Sequence, residues 1–178
     1  MGIRANSRMS LALLLSLTLS FSNLAHASAV STPKCSTIAT NPAIKKGISL
    51  PCLDGKGKFI FQAIRGPVLI NVWGSWCEPC KQEIPFLVQI AKEKKIQIIG
   101  VDVEERNTDV ANAFVKENNM TWPQLYDVKS ATRGIFGMGV PVTRFIDVDG
   151  KAVYEKIGPF KSAAEIRKAA KEFLGVKS

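Results

Sequence analysis

Val68 to Trp73, Val-Leu-Ile-Asn-Val-Trp, is an almost unbroken apolar run set off by Gly66-Pro67. A strand with apolar side chains on both faces must be covered on both faces, which places it inside a parallel or mixed sheet. Soon after it, Ile84, Leu87, Val88 and Ala91 recur at i, i+3, i+4 and i+7, one apolar stripe on a helix that starts near Pro79, and proline suits a first helical turn. A central strand that runs directly into a helix commits the chain to an α/β architecture.

Ile96 to Val103 repeats the strand signal. Asn107-Thr108-Asp109 caps a helix to about Asn118, with Val110, Ala113 and Phe114 as its inner face. Right-handed crossovers make these two strands parallel, with helices on both sheet faces. Val142 to Val148 and Lys151 to Ile157, joined through Asp149-Gly150, read as an antiparallel hairpin. Ser162 and Glu165 form a capping box for a last helix with Ile166, Ala169, Ala170, Phe173 and Leu174 inside. Trp122-Pro123 and Ser130 to Gly139 read as loop.

The 178 residues, 46% apolar and 22% charged, suffice for one domain with a full core. Arg4 and Arg8, the apolar run Leu11 to Phe21 and Ala25-His26-Ala27 have the form of a secretory signal cleaved after Ala27. An uncleaved anchor is the alternative, although spanning a membrane takes about 20 apolar residues. Cleavage removes two arginines and no acid, which lowers the net charge from +9 to +7. It also removes the one histidine, His26, and with it imidazole acid–base chemistry and His-based metal sites. The lysines are dispersed beside acids with no interleaved aromatics, which speaks against nucleic acid as a partner. The expected organisation is a signal over 1–27, an irregular arm over 28–57 and a folded domain over 58–178.

Trp76-Cys77-Glu78-Pro79-Cys80 carries the chemistry. A zinc site needs more ligands than this pair supplies, and a two-residue disulfide loop is a poor staple because it restricts little chain. A redox pair fits better. At the N-terminus of a helix the Cys77 sulfur lies near unpaired N–H groups and the positive end of the dipole, which favours thiolate and makes Cys77 the attacking nucleophile. Cys80, one turn on and more covered, resolves the mixed disulfide.

The stretch Val68 to Phe86 resembles the thioredoxin superfamily, and more narrowly the secreted TlpA/ResA/CcmG-like (DsbE-like) thiol–disulfide oxidoreductases. A second block, Gly139-Val140-Pro141-Val142-Thr143, followed by Asp149-Gly150-Lys151, extends the resemblance over about Gly47 to Leu174. It implies a thioredoxin-like three-layer α/β/α fold, with a mixed central sheet built as βαβ then ββα and an additional N-terminal arm. It also implies that Pro141 is cis and faces the cysteines, leaving the Val140 backbone to pair with a substrate strand. Thioredoxin carries a buried aspartate where this chain has Asn71, and an amide cannot transfer a proton between thiols. The subgroup has a functional glutamate at the position of Glu83, which makes Glu83 the candidate acid–base group for Cys80; a surface helix glutamate is the plainer alternative.

Trp76 reads as an exposed wall for partners, Trp73 as core, Glu78 as a charge opposing thiolate at Cys77, and Lys81 as solvated. Cys35 and Cys52 flank the arm, and pairing them would pin it with a stabilisation of roughly 3 kcal/mol; a second redox centre is the alternative. No flavin or nicotinamide motif is present, so the Cys77/Cys80 couple serves as its own cofactor, with electrons exchanged with a membrane redox protein. The resemblance implies protein thiols and disulfides as partners, apocytochrome c or exported proteins, in the bacterial periplasm or at the outer face of the membrane. The reductive direction is favoured and the oxidative one stays open. A Cu(I) chaperone using Cys77, Cys80 and Met138 is a rival, with Met138 as a gap-filler the plainer view. A peroxiredoxin-like peroxidase, which needs a lone cysteine in a Pro/Thr-rich loop, fits poorly.

Overall fold

The computed structural model describes residues 1–2, 34–137 and 139–177. The signal segment with His26, apart from Met1 and Gly2, and Met138 lie outside the described residues.

The central sheet has the order β5-β4-β3-β6-β7, built from β3 (Val68–Trp73), β4 (Gln97–Val103), β5 (Gln124–Asp127), β6 (Val142–Ile146) and β7 (Ala152–Ile157). β3 pairs in parallel with β4 and β4 with β5, while β6 runs antiparallel to both β3 and β7. Every residue of β3 is buried, as a strand apolar on both faces requires. The helices are α1 (Glu78–Glu93), α2 (Thr108–Glu117), the short α3 (Arg133–Phe136) and α4 (Ala163–Leu174).

Alternation along β3 divides the core. Leu69 and Trp73 face one cluster with residues of α1, α2 and α4, whereas Val68, Ile70 and Val72 face a second with Cys35, Leu50, Phe61 and Phe136. The three long helices therefore share one face, because β3-α1-β4 and β4-α2-β5 step along the sheet in the same direction and equal handedness puts both crossovers on the same side. The opposite layer consists of α3 and the segment before β3. That segment includes a small hairpin of β1 (Ser49–Pro51) and β2 (Lys58–Ile60), paired across the expected arm boundary at residue 57.

Two local expectations need correction. On α2 the buried face is Ala111, Phe114 and Val115, and Val110 and Ala113 are exposed. The Asn107 side chain accepts from the N–H groups of Asp109 and Val110, and the helix is rotated so that Phe114 stacks on Trp73, with ring centroids 5.2 Å apart. The stretch read as loop contains β5 and α3. Both are short, and β5 alternates too little for a periodicity signal because all four of its residues are buried. On α4 the cap forms as expected: Ser162 Oγ accepts from Glu165 N at 3.2 Å, and Glu165 reaches back to accept from Lys161 N at 2.8 Å.

Candidate active site

Cys77 is the N-cap of α1, and its sulfur accepts from the backbone N–H of Cys80 at 3.1 Å. The two cysteines are joined in a disulfide with Cα atoms 5.3 Å apart. Both are buried, Cys77 at 4% exposure and Cys80 at 1%, so attack from outside reaches Cys77 first. When the bond opens, the same N–H and the unpaired amides of the first helical turn face the Cys77 sulfur and favour its thiolate. Trp76 stands beside the pair at 54% exposure. Its indole lies across Gly74, where a Cβ would come within 2.6 Å of the ring nitrogen.

Glu83 is buried at 1% exposure. Its Oε1 accepts from Phe160 N at 2.9 Å and its Oε2 from Asn71 Nδ2 at 2.9 Å. Burial pushes its pKa up to about 7, against the pull of the Phe160 and Asn71 hydrogen bonds and the charge of Lys156. Asn71 also donates to Thr143 Oγ1 at 3.0 Å, across the β3/β6 ladder where the two are register partners. The Val140–Pro141 bond is cis. The Pro141 carbonyl accepts from Gly158 N at 2.9 Å, and no described residue hydrogen-bonds to the Val140 backbone. Phe160, on the segment between β7 and α4, thus holds Glu83 through its backbone N–H.

The sequence profile of the AhpC/TSA family matches residues 43–155. The chain belongs to the AhpC/TSA family. The thiol–disulfide oxidoreductase ResA of Bacillus thuringiensis (strain Al Hakam) is 36% identical over 117 residues, 64% of this chain and 61% of that relative. The match thus spans somewhat under two thirds of the relative's length. A thioredoxin-family thiol:disulfide interchange protein from Chlorobium tepidum TLS superimposes with a TM-score of 0.61 at 26% identity, covering 78% of this chain and 97% of its own. StoA from Bacillus subtilis has the same fold, with a TM-score of 0.57 at 23% identity over 71% of this chain and 98% of its own. The fold is thioredoxin-like, as in these solved structures, and the chain is similar to ResA.

In this AhpC/TSA-family chain several site residues carry no sequence signal of their own. Glu105 accepts from the N–H of Ser75 and so ties the loop before Cys77 to the end of β4. Its place just past the carboxyl end of a strand, where α/β sites gather, is the one hint available. Thr143 and Phe160 act on Glu83 only through tertiary contacts. Asp102 is fully buried beside Trp73, its β3 register partner, and neither carboxylate oxygen meets a donor among the described residues. Burial, reinforced by the charge of Glu105, raises its pKa to about 9.

Glu78 pairs with Lys81 at 3.3 Å on the exposed side of α1, so Lys81 is an ion-pair partner as well as solvated. Trp73 is core and donates from Nε1 to Gln124 Oε1 at 3.0 Å. Cys35 and Cys52 form a disulfide with Cα atoms 6.1 Å apart. Cys52 bridges to Leu125 and Leu53 N donates to Gln124 O at 2.8 Å, so this bond fastens the N-terminal segment along the β5 edge. Cys35, Cys52 and Asp54 are the one group of three metal-ligand types among the described residues, and both sulfurs are spent in the disulfide. Among the described residues no helix is long and apolar enough to cross a membrane.

Proposed function

We propose that the protein is an extracytoplasmic thiol–disulfide oxidoreductase that reduces disulfides in protein partners through Cys77 and Cys80. The observation that carries this reading is the Cys77–Cys80 disulfide at the start of α1, with a buried carboxyl, Glu83, one turn further along the same helix. In the reduced protein the Cys77 thiolate attacks one sulfur of the partner disulfide. A Cys77–partner bond forms and the other partner sulfur leaves as thiolate. Cys80 then attacks Cys77 Sγ, closing the Cys77–Cys80 bond and releasing the second partner thiolate; two electrons have passed to the partner. Glu83 accepts the proton that Cys80 gives up as it becomes a nucleophile, and an acid that titrates near neutrality suits that task. The Val140 backbone ahead of cis-Pro141 pairs with the partner's extended segment, and Trp76 packs against it.

The couple needs no cofactor beyond its own sulfurs. Its electrons come from a dithiol of a membrane redox protein, and oxidised apocytochrome c is the class of partner that the sequence resemblance implies. Equilibrating the protein with graded dithiol buffers tests the direction, because 30 mV corresponds to about 1.4 kcal/mol for this two-electron couple. A potential at or below roughly −250 mV supports the reductase, and one near roughly −120 mV makes it an oxidant of exported proteins. Insulin reduction that is equally flat for the wild type and Cys77→Ser would overturn the enzyme altogether.

A further inference from the structure

Asn71 is 1% exposed, and its amide is used unevenly. Nδ2 spends both hydrogens, one on Glu83 Oε2 and one on Thr143 Oγ1, while Oδ1 has no donor among the described residues. This arrangement fits a carboxylate at Glu83. A proton on the Oε2 lone pair that faces Nδ2 would point a hydrogen at an N–H, two donors facing each other. A half-turn about the amide's last side-chain bond removes the conflict. Oδ1 then lies where Nδ2 was, within reach of an Oε2–H of Glu83 on one side and of the Thr143 hydroxyl on the other. Thr143 serves both orientations because a hydroxyl accepts and donates.

We propose that Asn71, held against Thr143, is a positioning residue whose amide turns over with the proton on Glu83, its NH2 toward the carboxylate and its carbonyl toward the carboxylic acid. The inference rests on the reading of Glu83 as the proton acceptor for Cys80. In that step the S–H bond of Cys80 breaks, Oε2–H forms on Glu83, and the turned amide accepts from the new O–H. The asparagine at the position where thioredoxin has an aspartate is then part of the proton machinery, although it carries no proton itself. The other charged groups around Glu83 are Lys156 on β7 and Glu165 on α4, paired with each other at 3.1 Å; on α1 itself the disulfide of Cys77 and Cys80 carries no charge.

The test is a pH titration of the oxidised protein by NMR, with the Glu83 carboxyl carbon and the Asn71 side-chain NH2 observed together. The expected result is one shared midpoint near 7, with contacts between the Asn71 NH2 hydrogens and the Thr143 side chain present above it and lost below it. In Asn71→Leu the Glu83 midpoint moves up by about one pH unit, because a hydrogen bond to the charged form is gone. In Thr143→Val it moves up by a smaller amount, because an N–H without an acceptor is tolerated less well than a carbonyl with one partner. Thr143→Ser restores it. Asn71 resonances that stay fixed while Glu83 titrates would overturn this proposal and leave the role of Glu83 standing. A Glu83 carbon that does not titrate between pH 5 and 9, together with a Cys80 alkylation profile unchanged in Glu83→Gln, would overturn the underlying reading instead. The wild-type titration needs no variant to fold.

Discussion

Replacing Asp102 with asparagine keeps the shape of the side chain and removes only its capacity to ionise. Asp102 is fully buried with no donor on either oxygen, and its pKa is raised from 3.8 to about 9. The folded protein therefore holds the proton across the neutral range, whereas the unfolded chain gives it up near pH 4. A raised acid contributes fully below its unfolded pKa and its contribution falls as pH rises toward the folded value. From 3.8 to pH 7 is about three units, which at about 1.4 kcal/mol per unit costs the wild type on the order of 4 kcal/mol of stability at pH 7. An asparagine amide left equally unpaired has a similar burial cost but no such pH dependence. Asp102→Asn is thus expected to match the wild type near pH 4 and to exceed it by a few kcal/mol at pH 7. Urea unfolding followed by tryptophan fluorescence at pH 4, 5, 6, 7 and 8, with both disulfides intact, measures the difference. Parallel stability curves for the two proteins would refute the reasoning, since they would mean that Asp102 is ionised and solvated in the folded state.

Glu83→Gln removes a second raised acid: the wild type should lose on the order of 3 kcal/mol between pH 4.5 and 7 that the variant retains, as read in the same urea series. The double variant Cys35→Ser, Cys52→Ser should lose about 3 kcal/mol, on the scale of a loop of 17 residues, and amide exchange should speed up along β5 while insulin reduction persists. A Cβ at Gly74 would meet the Trp76 indole at 2.6 Å, so Gly74→Ala should push Trp76 off the loop. Slower mixed-disulfide formation with a peptide disulfide, at an unchanged Cys77–Cys80 potential, is the expected result.

What the sequence made legible were features carried by local rules. Val68 to Trp73 is β3 to the residue because nothing in it is polar enough to face water except Asn71, and α1 begins where Cys77 caps it and Pro79 fits the first turn. The disulfide at the helix start and the cis bond at Pro141 were both readable from motif and resemblance. The short β5, α3 and the rotation of α2 were not, because each is decided by tertiary contact: β5 by its pairing with β4, α3 by Phe136 against Phe61, and α2 by Phe114 against Trp73. The same holds inside the site. Glu83 stands out by its spacing from Cys80, but Thr143, Phe160 and Glu105 reach the site from 60, 77 and 30 residues away from Glu83, Glu83 and Ser75 respectively, a distance over which no periodicity operates.

The two buried acids on the helix-covered face differ in one respect that decides their chemistry. Both are desolvated, which alone favours the neutral form. Glu83 has two donors aimed at it, from Phe160 and Asn71, and each bond favours the charge enough to bring ionisation back to about 7. Asp102 has no donor among the described residues and meets the charge of Glu105, so its proton stays on through neutral pH. An acid locked in one state cannot relay protons, while an acid balanced near neutrality can give and take them. On the proposed reading of Glu83 as the proton acceptor for Cys80, the hydrogen-bond donors around the carboxyl, and not burial by itself, set its titration, and Asn71 and Phe160 are the residues that decide whether exchange runs near neutral pH.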